Sequence, residues 1–175
     1  MDGRLPVLRG ERVLLRPVRD DDLAPLLAMF VEPEVARWFG SWDEARVRRD
    51  LIAPQDDEVV LAIEVDGAVA GVLLVGEEIE PDYRCVGLDV GLDDAHQGRG
   101  LGPEALRLVI VHMIEARGHH RFTIDPAAAN ERAIRAYAAV GFRPVGVMRR
   151  YERAPDGSWH DALLMDLLAE EFVAL

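Results

Sequence analysis

The segment Leu92-Asp93-Asp94-Ala95-His96-Gln97-Gly98-Arg99-Gly100-Leu101-Gly102-Pro103-Glu104 sets three glycines between a strand end and a helix start. Bare N–H groups at such a turn, aimed by the positive end of a helix dipole, can hold a pyrophosphate without any side chain. Pro103 suits the first helical turn, where its missing N–H is not needed. The segment has no Lys for a Walker A loop and lacks the Gly-x-Gly-x-x-Gly spacing, so it also reads as an ordinary strand-to-helix turn. Two carboxylates stand in apolar runs: Asp89 interrupts Gly87-Leu88-x-Val90, and Asp125 precedes Pro126. A carboxylate so placed is costly unless it has a partner or a task, such as binding a cation and taking its proton. Asp125 reads equally well as a turn former that ends a strand. Glu78, Glu80 and Asp82 are weaker candidates, in a loop where solvated acids are the rule.

Other chemistries lack their residues. Ser41 and Ser158 are the only serines, and neither sits in a Gly-x-Ser-x-Gly turn. Cys85 lies in the strand-like run Tyr83-Arg84-Cys85-Val86 with no helix N-terminus to activate it, and is expected to be a buried structural thiol. His96, His112, His119, His120 and His160 show no paired metal spacing, so no metal site is expected.

Several elements must position these residues. Leu8 to Val18 reads as a first strand, and Asp20-Asp21-Asp22 offers N-terminal capping for a helix through Phe30. Ser41-Trp42-Asp43-Glu44 fits a capping box and starts a helix that ends before Pro54. Glu58 to Val65 and Ala68 to Val75 form a hairpin at Asp66-Gly67, and a fourth strand runs from about Tyr83 to Leu92. The second half predicts a helix from Pro103 to Arg117, a strand Arg121 to Asp125 and a helix Asn130 to Val140 that Gly141 stops. Two more strands, about Pro144 to Arg153 and His160 to Leu167, flank the turn Pro155-Asp156-Gly157.

At 175 residues, half of them apolar, the chain suits a single domain. No apolar stretch is long enough to cross a bilayer, and the N-terminus, with Asp2, Arg4, Arg9 and Glu11, has no signal-peptide core. One cysteine allows no internal disulfide, which fits a reducing cytoplasm. The net charge of −12 opposes nucleic acid and anionic membranes and favours a cationic partner.

A second segment, Asn130-x-x-Ala133-x-x-x-Tyr137-x-x-x-Gly141-Phe142, follows the glycine turn after one helix and one strand. Together with Gln97-x-x-Gly100-x-Gly102, it resembles the acetyl-CoA-binding motifs of the GNAT superfamily of acetyltransferases. The opening Leu8-Arg9-Gly10-Glu11-Arg12-Val13-Leu14-Leu15-Arg16 resembles the ribosomal-protein alanine acetyltransferase branch. The resemblance implies an α+β GNAT fold: a mixed, mostly antiparallel seven-stranded sheet, splayed between strands four and five and flanked by about four helices. It implies acetyl-CoA as cosubstrate, with its arm along Val90, Gly91 and Leu92 and its pyrophosphate on Gln97, Gly98, Arg99, Gly100, Leu101 and Gly102. Asn130 and Ala133 would line the arm, and Tyr137 would face the sulfur. A phenol there can protonate the departing thiolate; the bland reading is a core aromatic on an amphipathic helix.

No covalent nucleophile is needed, since an uncharged amine attacks a thioester directly. The splayed sheet implied by the family would bring Asp89 and Asp125 to one face, where they can bind the ammonium and accept its proton. Gly87-Leu88-Asp89, Asp125-Pro126 and Asn130-x-Arg132-Ala133-Ile134-Arg135-x-Tyr137 resemble the aminoglycoside 6′-N-acetyltransferases, and Val35-Ala36-Arg37-Trp38-Phe39-Gly40 resembles their aromatic substrate segment. That resemblance implies Trp38 packing on a sugar ring, Asp89 and Asp125 gripping ammonium groups, and Asp89 as the base. Between Asp89 and Gly100 the chain is one residue shorter than those enzymes, which leaves the strand register near the acetyl group open. A protein N-terminal or hydroxylysine acetyltransferase stays open, as does a non-catalytic acyl-CoA-binding domain. Monomer and homodimer are equally compatible with the sequence.

Overall fold

The computed structural model describes residues 5–54, 58–154 and 156–174. Along the chain run β1 (Leu8–Arg9), β2 (Leu14–Pro17), α1 (Leu23–Phe30), α2 (Pro33–Phe39), α3 (Glu44–Val47), β3 (Glu58–Val65), β4 (Ala68–Glu78) and β5 (Cys85–Leu92). There follow α4 (Leu101–Arg117), β6 (Arg121–Ile124), α5 (Glu131–Val140), β7 (Arg143–Arg153) and β8 (Trp159–Leu168). The described strands form one sheet in the order β1-β2-β3-β4-β5-β6-β8-β7. Every neighbouring pair is antiparallel except β5 and β6, which run parallel. No described helix is long and apolar enough to cross a membrane.

This mixed, mostly antiparallel sheet is the expected fold, with two differences in count. The expected first strand is two strands, because Gly10 donates its N–H to the Val13 carbonyl (2.8 Å) and turns the chain between them. The sheet therefore has eight strands instead of seven, and the expected strands four and five are β5 and β6. A fifth helix, α2, begins at Pro33 and occupies a stretch without a clear periodic signal. Its proline stands at the start of the helix, where the ring fits and its absent N–H costs nothing.

Local chemistry explains the remaining element ends. At the β3–β4 hairpin both Asp66 (φ 51°) and Gly67 (φ 81°) are left-handed, which matches strand twist through a two-residue turn. The cap of α3 is Asp43, whose Oδ1 accepts from the Arg46 N–H (2.8 Å), and not Ser41. Packing moves the cap: Trp42 stacks on Phe30 at 4.3 Å and donates its indole N–H to the Phe39 carbonyl, folding residues 39–42 back on the core. A wider helical turn continues α3 to Ile52, before Pro54. Strand β5 starts at Cys85, two residues after Tyr83, and Cys85 is half-buried instead of enclosed. Strand β6 ends at Ile124, so Asp125 lies just past it. Pro155 of the expected final turn lies outside the described residues, as do Asp2 and Arg4.

Two apolar layers cover the sheet. On one face Leu61, Ile63, Val86, Leu88 and Phe122 pack with Leu106, Val109, Ile110 and Met113 of α4 and Tyr137 of α5. On the other, Val60 and Val72 pack with Leu26, Met29 and Phe30 of α1 and Val47 and Leu51. Strands β5 and β6 pair only at Val86 with Phe122 and Gly87 with Thr123, after which they part. Pairing of β4 with β5 runs in continuous register from Gly71 opposite Leu92 to Glu78 opposite Cys85. The register left open by the shorter loop is thereby fixed without a bulge in β5.

The α1 layer is pinned to the sheet by Arg16 of β2. Its guanidinium grips both oxygens of Asp22 (2.7 and 2.8 Å) and also reaches Glu64 of β3. Burial alone would lift the Asp22 carboxyl, but the bonds from Arg16 and from the Arg19 N–H outweigh it and hold it below its ordinary value. An Arg16→Met variant leaves that carboxylate buried and unpaired, and is expected to lose about 3–5 kcal/mol of stability, read by urea denaturation at neutral pH.

Candidate active site

Where β5 and β6 part, a cleft of about 610 Å³ opens, lined from β5 by Asp89, Val90, Gly91 and Leu92 and from the β6 side by Ile124 and Asp125. The glycine turn closes one end. Gln97 spans the turn, donating its side-chain N–H to the Leu92 carbonyl (2.8 Å). Gly98 (φ 71°) and Gly100 (φ 77°) are left-handed, a conformation that side chains resist. The first bond of α4 runs from the Glu104 N–H to the Gly100 carbonyl (3.2 Å), so Leu101 and Gly102 have no intrahelical acceptor. Those free donors stand at the positive end of a 17-residue helix and border the cleft. Arg99 belongs to the turn but does not line the cleft.

The opposite wall comes from α5. Asn130 caps it, its Oδ1 accepting from the Ala133 N–H (3.1 Å). That leaves the Asn130 amide N–H groups, which have no partner among the described residues, at the edge of the cleft. Ala133 and Tyr137 follow along the same helix face, and the Tyr137 ring is only 7 % exposed. Backbone donors at the turn, the Asn130 amide and the parted edge of β5 together suit a diphosphate followed by an amide-bearing arm, the chemistry of coenzyme A.

Asp89 and Asp125 meet in this cleft. Along β5 the side chains alternate, so Asp89 and Gly91 face the α1–α3 layer while Leu88 and Val90 face α4. Asp125 reaches the same side because Phe122 and Ile124 take the α4 face. Asp89 is open to the solvent within the cleft, yet protein surrounds it at longer range. That enclosure, with Asp125 nearby, raises its carboxyl to about 7, against the pull of the Val90 N–H. Burial raises Asp125 as well, partly offset by the neighbouring Tyr151 hydroxyl. Burial, then the two aspartates, push the Tyr137 phenol above its ordinary value, so it stays protonated at neutral pH. Trp38 lines the same cleft under the Arg37 guanidinium (4.7 Å), whereas Glu78, Glu80 and Asp82 do not line it.

Residues 12–143 match the model of the acetyltransferase (GNAT) domain family. The chain belongs to the GNAT acetyltransferases. N-alpha-acetyltransferase RimI of Mycobacterium tuberculosis is 32 % identical over 118 residues, covering 64 % of this chain and 68 % of RimI. Aminoglycoside N(6′)-acetyltransferase type 1 of Klebsiella pneumoniae is 29 % identical over 168 residues, covering 85 % of this chain and 80 % of that enzyme. Among solved structures, Mycobacterium smegmatis RimJ in complex with CoA-disulfide superposes with a TM-score of 0.82 at 26 % identity, over 97 % of this chain and 90 % of that one. This GNAT acetyltransferase is thus similar both to an enzyme named as an N-alpha-acetyltransferase and to one named for an aminoglycoside.

Tyr151 and Glu152 on β7 also line the acetyltransferase's cleft, and neither stood out in the sequence. Consecutive strand residues face opposite sides unless the strand bulges. Arg150 supplies the bulge: it is left-handed (φ 51°), its N–H donates to Asp161 (2.8 Å), and the β7–β8 register shifts between Met148 and Glu152. Nothing in the local residue pattern announces that kink. Burial and the nearby Asp125 raise the Glu152 carboxyl, against His160 and Arg46.

The raised Asp89 pKa carries a stability signature. A folded pKa of about 7 against an ordinary 3.8 means that ionising Asp89 opposes folding. The cost grows as pH rises from the lower value to the higher and is complete above it. Asp89→Asn removes it, so the variant's gain in melting temperature over wild type is expected to be larger at pH 8 than at pH 5, by an amount that the water reaching Asp89 in the open cleft reduces. Differential scanning calorimetry at the two pH values measures it.

Proposed function

We propose that the chain moves the acetyl group of acetyl-CoA to the 6′ amine of an aminoglycoside, a small polycationic sugar. The observation that carries this reading is the meeting of three carboxylates from different strand ends, Asp89, Asp125 and Glu152, in one cleft with Tyr137 and the glycine turn. Acetyl-CoA supplies an activated thioester; the chain's residues supply position and proton management. The turn of residues 98–102 would bind the diphosphate and Asn130 the arm, with backbone N–H groups near Val90, on the parted edge of β5, polarising the thioester carbonyl.

The acceptor amine, with an ordinary pKa near ~10, is almost all ammonium at neutral pH and has no lone pair. Asp89 takes its proton, directly or through water, and a carboxyl poised near 7 is well matched to that exchange. The amine nitrogen then bonds the acetyl carbon, the carbon–sulfur bond breaks and the nitrogen gives its second proton to water, while the Tyr137 hydroxyl protonates the leaving thiolate and regains its proton from solvent. Asp125 and Glu152 bind further ammonium groups, and Trp38 offers a ring face for a sugar. One continuous sheet through the described residues supports reading the chain as a single domain.

A second reading has its own observation. A neighbouring compartment of about 420 Å³ shares Trp38 and Glu152 with the cleft and is lined by Arg37, Arg46 and Arg153. Arg37 and Arg153 beyond the amine site, with Arg46 shared between the two compartments, would suit the carboxylates of a peptide chain, as in acetylation of a protein N-terminus. Thiol release from acetyl-CoA with kanamycin, tobramycin, an N-hydroxylysine precursor and an Ala-initiated peptide separates the readings. Turnover with the aminoglycosides is expected, with a rising limb of kcat/KM near pH 7 that Asp89→Asn abolishes. That variant should lose roughly 10²–10⁴-fold in rate. Turnover with the peptide alone overturns the aminoglycoside acceptor, and no thiol release with any amine overturns catalysis.

A further inference from the structure

The glycine turn is braced from behind by Arg12, which stands in the bend between β1 and β2. Its Nη1 donates to the Arg99 carbonyl (2.7 Å), its Nη2 to the Gly100 carbonyl (3.4 Å) and its Nε to Glu104 Oε2 (2.8 Å). Glu104 answers from the first turn of α4: its Oε1 accepts from the Arg12 N–H (2.7 Å) and the Val13 N–H (3.3 Å). The bend fits so closely that a Cβ on Gly10 would stand 2.6 Å from Glu104 Oε1. Five hydrogen bonds thus join the bend, 87 to 92 residues away in sequence, to the turn and helix at the end of the cleft.

The geometry matters because the carbonyl and N–H of one peptide unit point in opposite directions. A carbonyl of Arg99 held by Arg12 turns the N–H of Gly100 away from Arg12, and a held Gly100 carbonyl does the same for the N–H of Leu101. Gly100 and Leu101 both line the cleft. Both Gly98 and Gly100 are glycines in left-handed conformation, with many alternative backbone states to lose. Gln97 ties the start of the turn to Leu92, but among the described residues the only side chain that reaches the Arg99 and Gly100 carbonyls is Arg12. We propose that Arg12 is a positioning residue for acetyl-CoA, fixing two peptide units so that their N–H groups face the diphosphate. Its pairing with Glu104 orients the guanidinium fork, which a lysine cannot reproduce.

The proposal rests on the family's cofactor and is independent of which amine is acetylated. Calorimetric titration of acetyl-CoA into wild type and Arg12→Gln, Arg12→Lys and Glu104→Gln variants tests it without any acceptor. Arg12→Gln is expected to raise the Kd about tenfold, with Arg12→Lys between it and wild type, because a point charge holds fewer of the carbonyls. Glu104→Gln keeps an oxygen for the two backbone donors and is expected to raise the Kd less. With whichever amine turns over, the KM for acetyl-CoA should rise in Arg12→Gln while kcat and the acceptor KM hold. Affinities of both Arg12 variants within about twofold of wild type overturn the proposal. So does a parallel fall in kcat and both affinities, which marks a merely structural brace.

Discussion

The parting of β5 from β6 is the constraint on which the rest of the molecule depends. Two paired positions hold the strands together at Val86 and Gly87, and the sheet then opens. Backbone polar groups cannot be left dry without a cost comparable to a lost hydrogen bond, so the free edge of β5 must face water or a ligand that offers matching donors and acceptors. Apolar layers on both faces keep the opening from collapsing sideways. Phe39 of α2 packs so tightly on Gly91 that a Cβ there would meet its ring at 3.0 Å, so glycine is what allows α2 to approach the lip. Tyr137, buried against Phe142, forms part of the opposite wall.

Electrostatics give the opening its sign. Asp89, Asp125 and Glu152 crowd one region, and each is shifted toward its protonated form, by enclosure first and by a like charge second where one is near. Such a cluster opposes folding and would be relieved by a bound cation, which is the trade expected of a binding site. At the far end the sign reverses: unpaired N–H groups at the start of α4 favour an anion. A ligand pair that is anionic at one end and cationic at the other matches both halves, as an acetyl donor carrying a diphosphate and an amine acceptor would.

Much of this was legible in the chain because local chemistry decided it. The Asp66-Gly67 hairpin, the glycine turn before α4 and the Gly141 stop of α5 each rest on residues with strong conformational preferences. Asp89 stood out because a carboxylate in a run of apolar residues is costly wherever the strand lies. What was not legible depends on contacts distant in sequence. The split of the first strand follows from the Gly10–Val13 turn, which fits closely against Glu104, 94 positions later, a fit no local pattern reports. The cap moved from Ser41 to Asp43 because Trp42 found Phe30. Tyr151 and Glu152 reach the cleft through a single left-handed residue, Arg150, whose type gives no hint of it.

In the proposed reaction one opening in the sheet holds both reactants, with the diphosphate on residues 98–102 and the sulfur beside Tyr137. A crystal structure with acetyl-CoA bound tests it most directly. Diphosphate oxygens are expected about 3 Å from the backbone nitrogens of Gly100, Leu101 and Gly102, the arm along β5 from Val90 to Leu92, and the thioester between Asp89 and Tyr137. A cofactor lying outside the gap between β5 and β6, or entering it with its diphosphate away from the glycine turn, would contradict it.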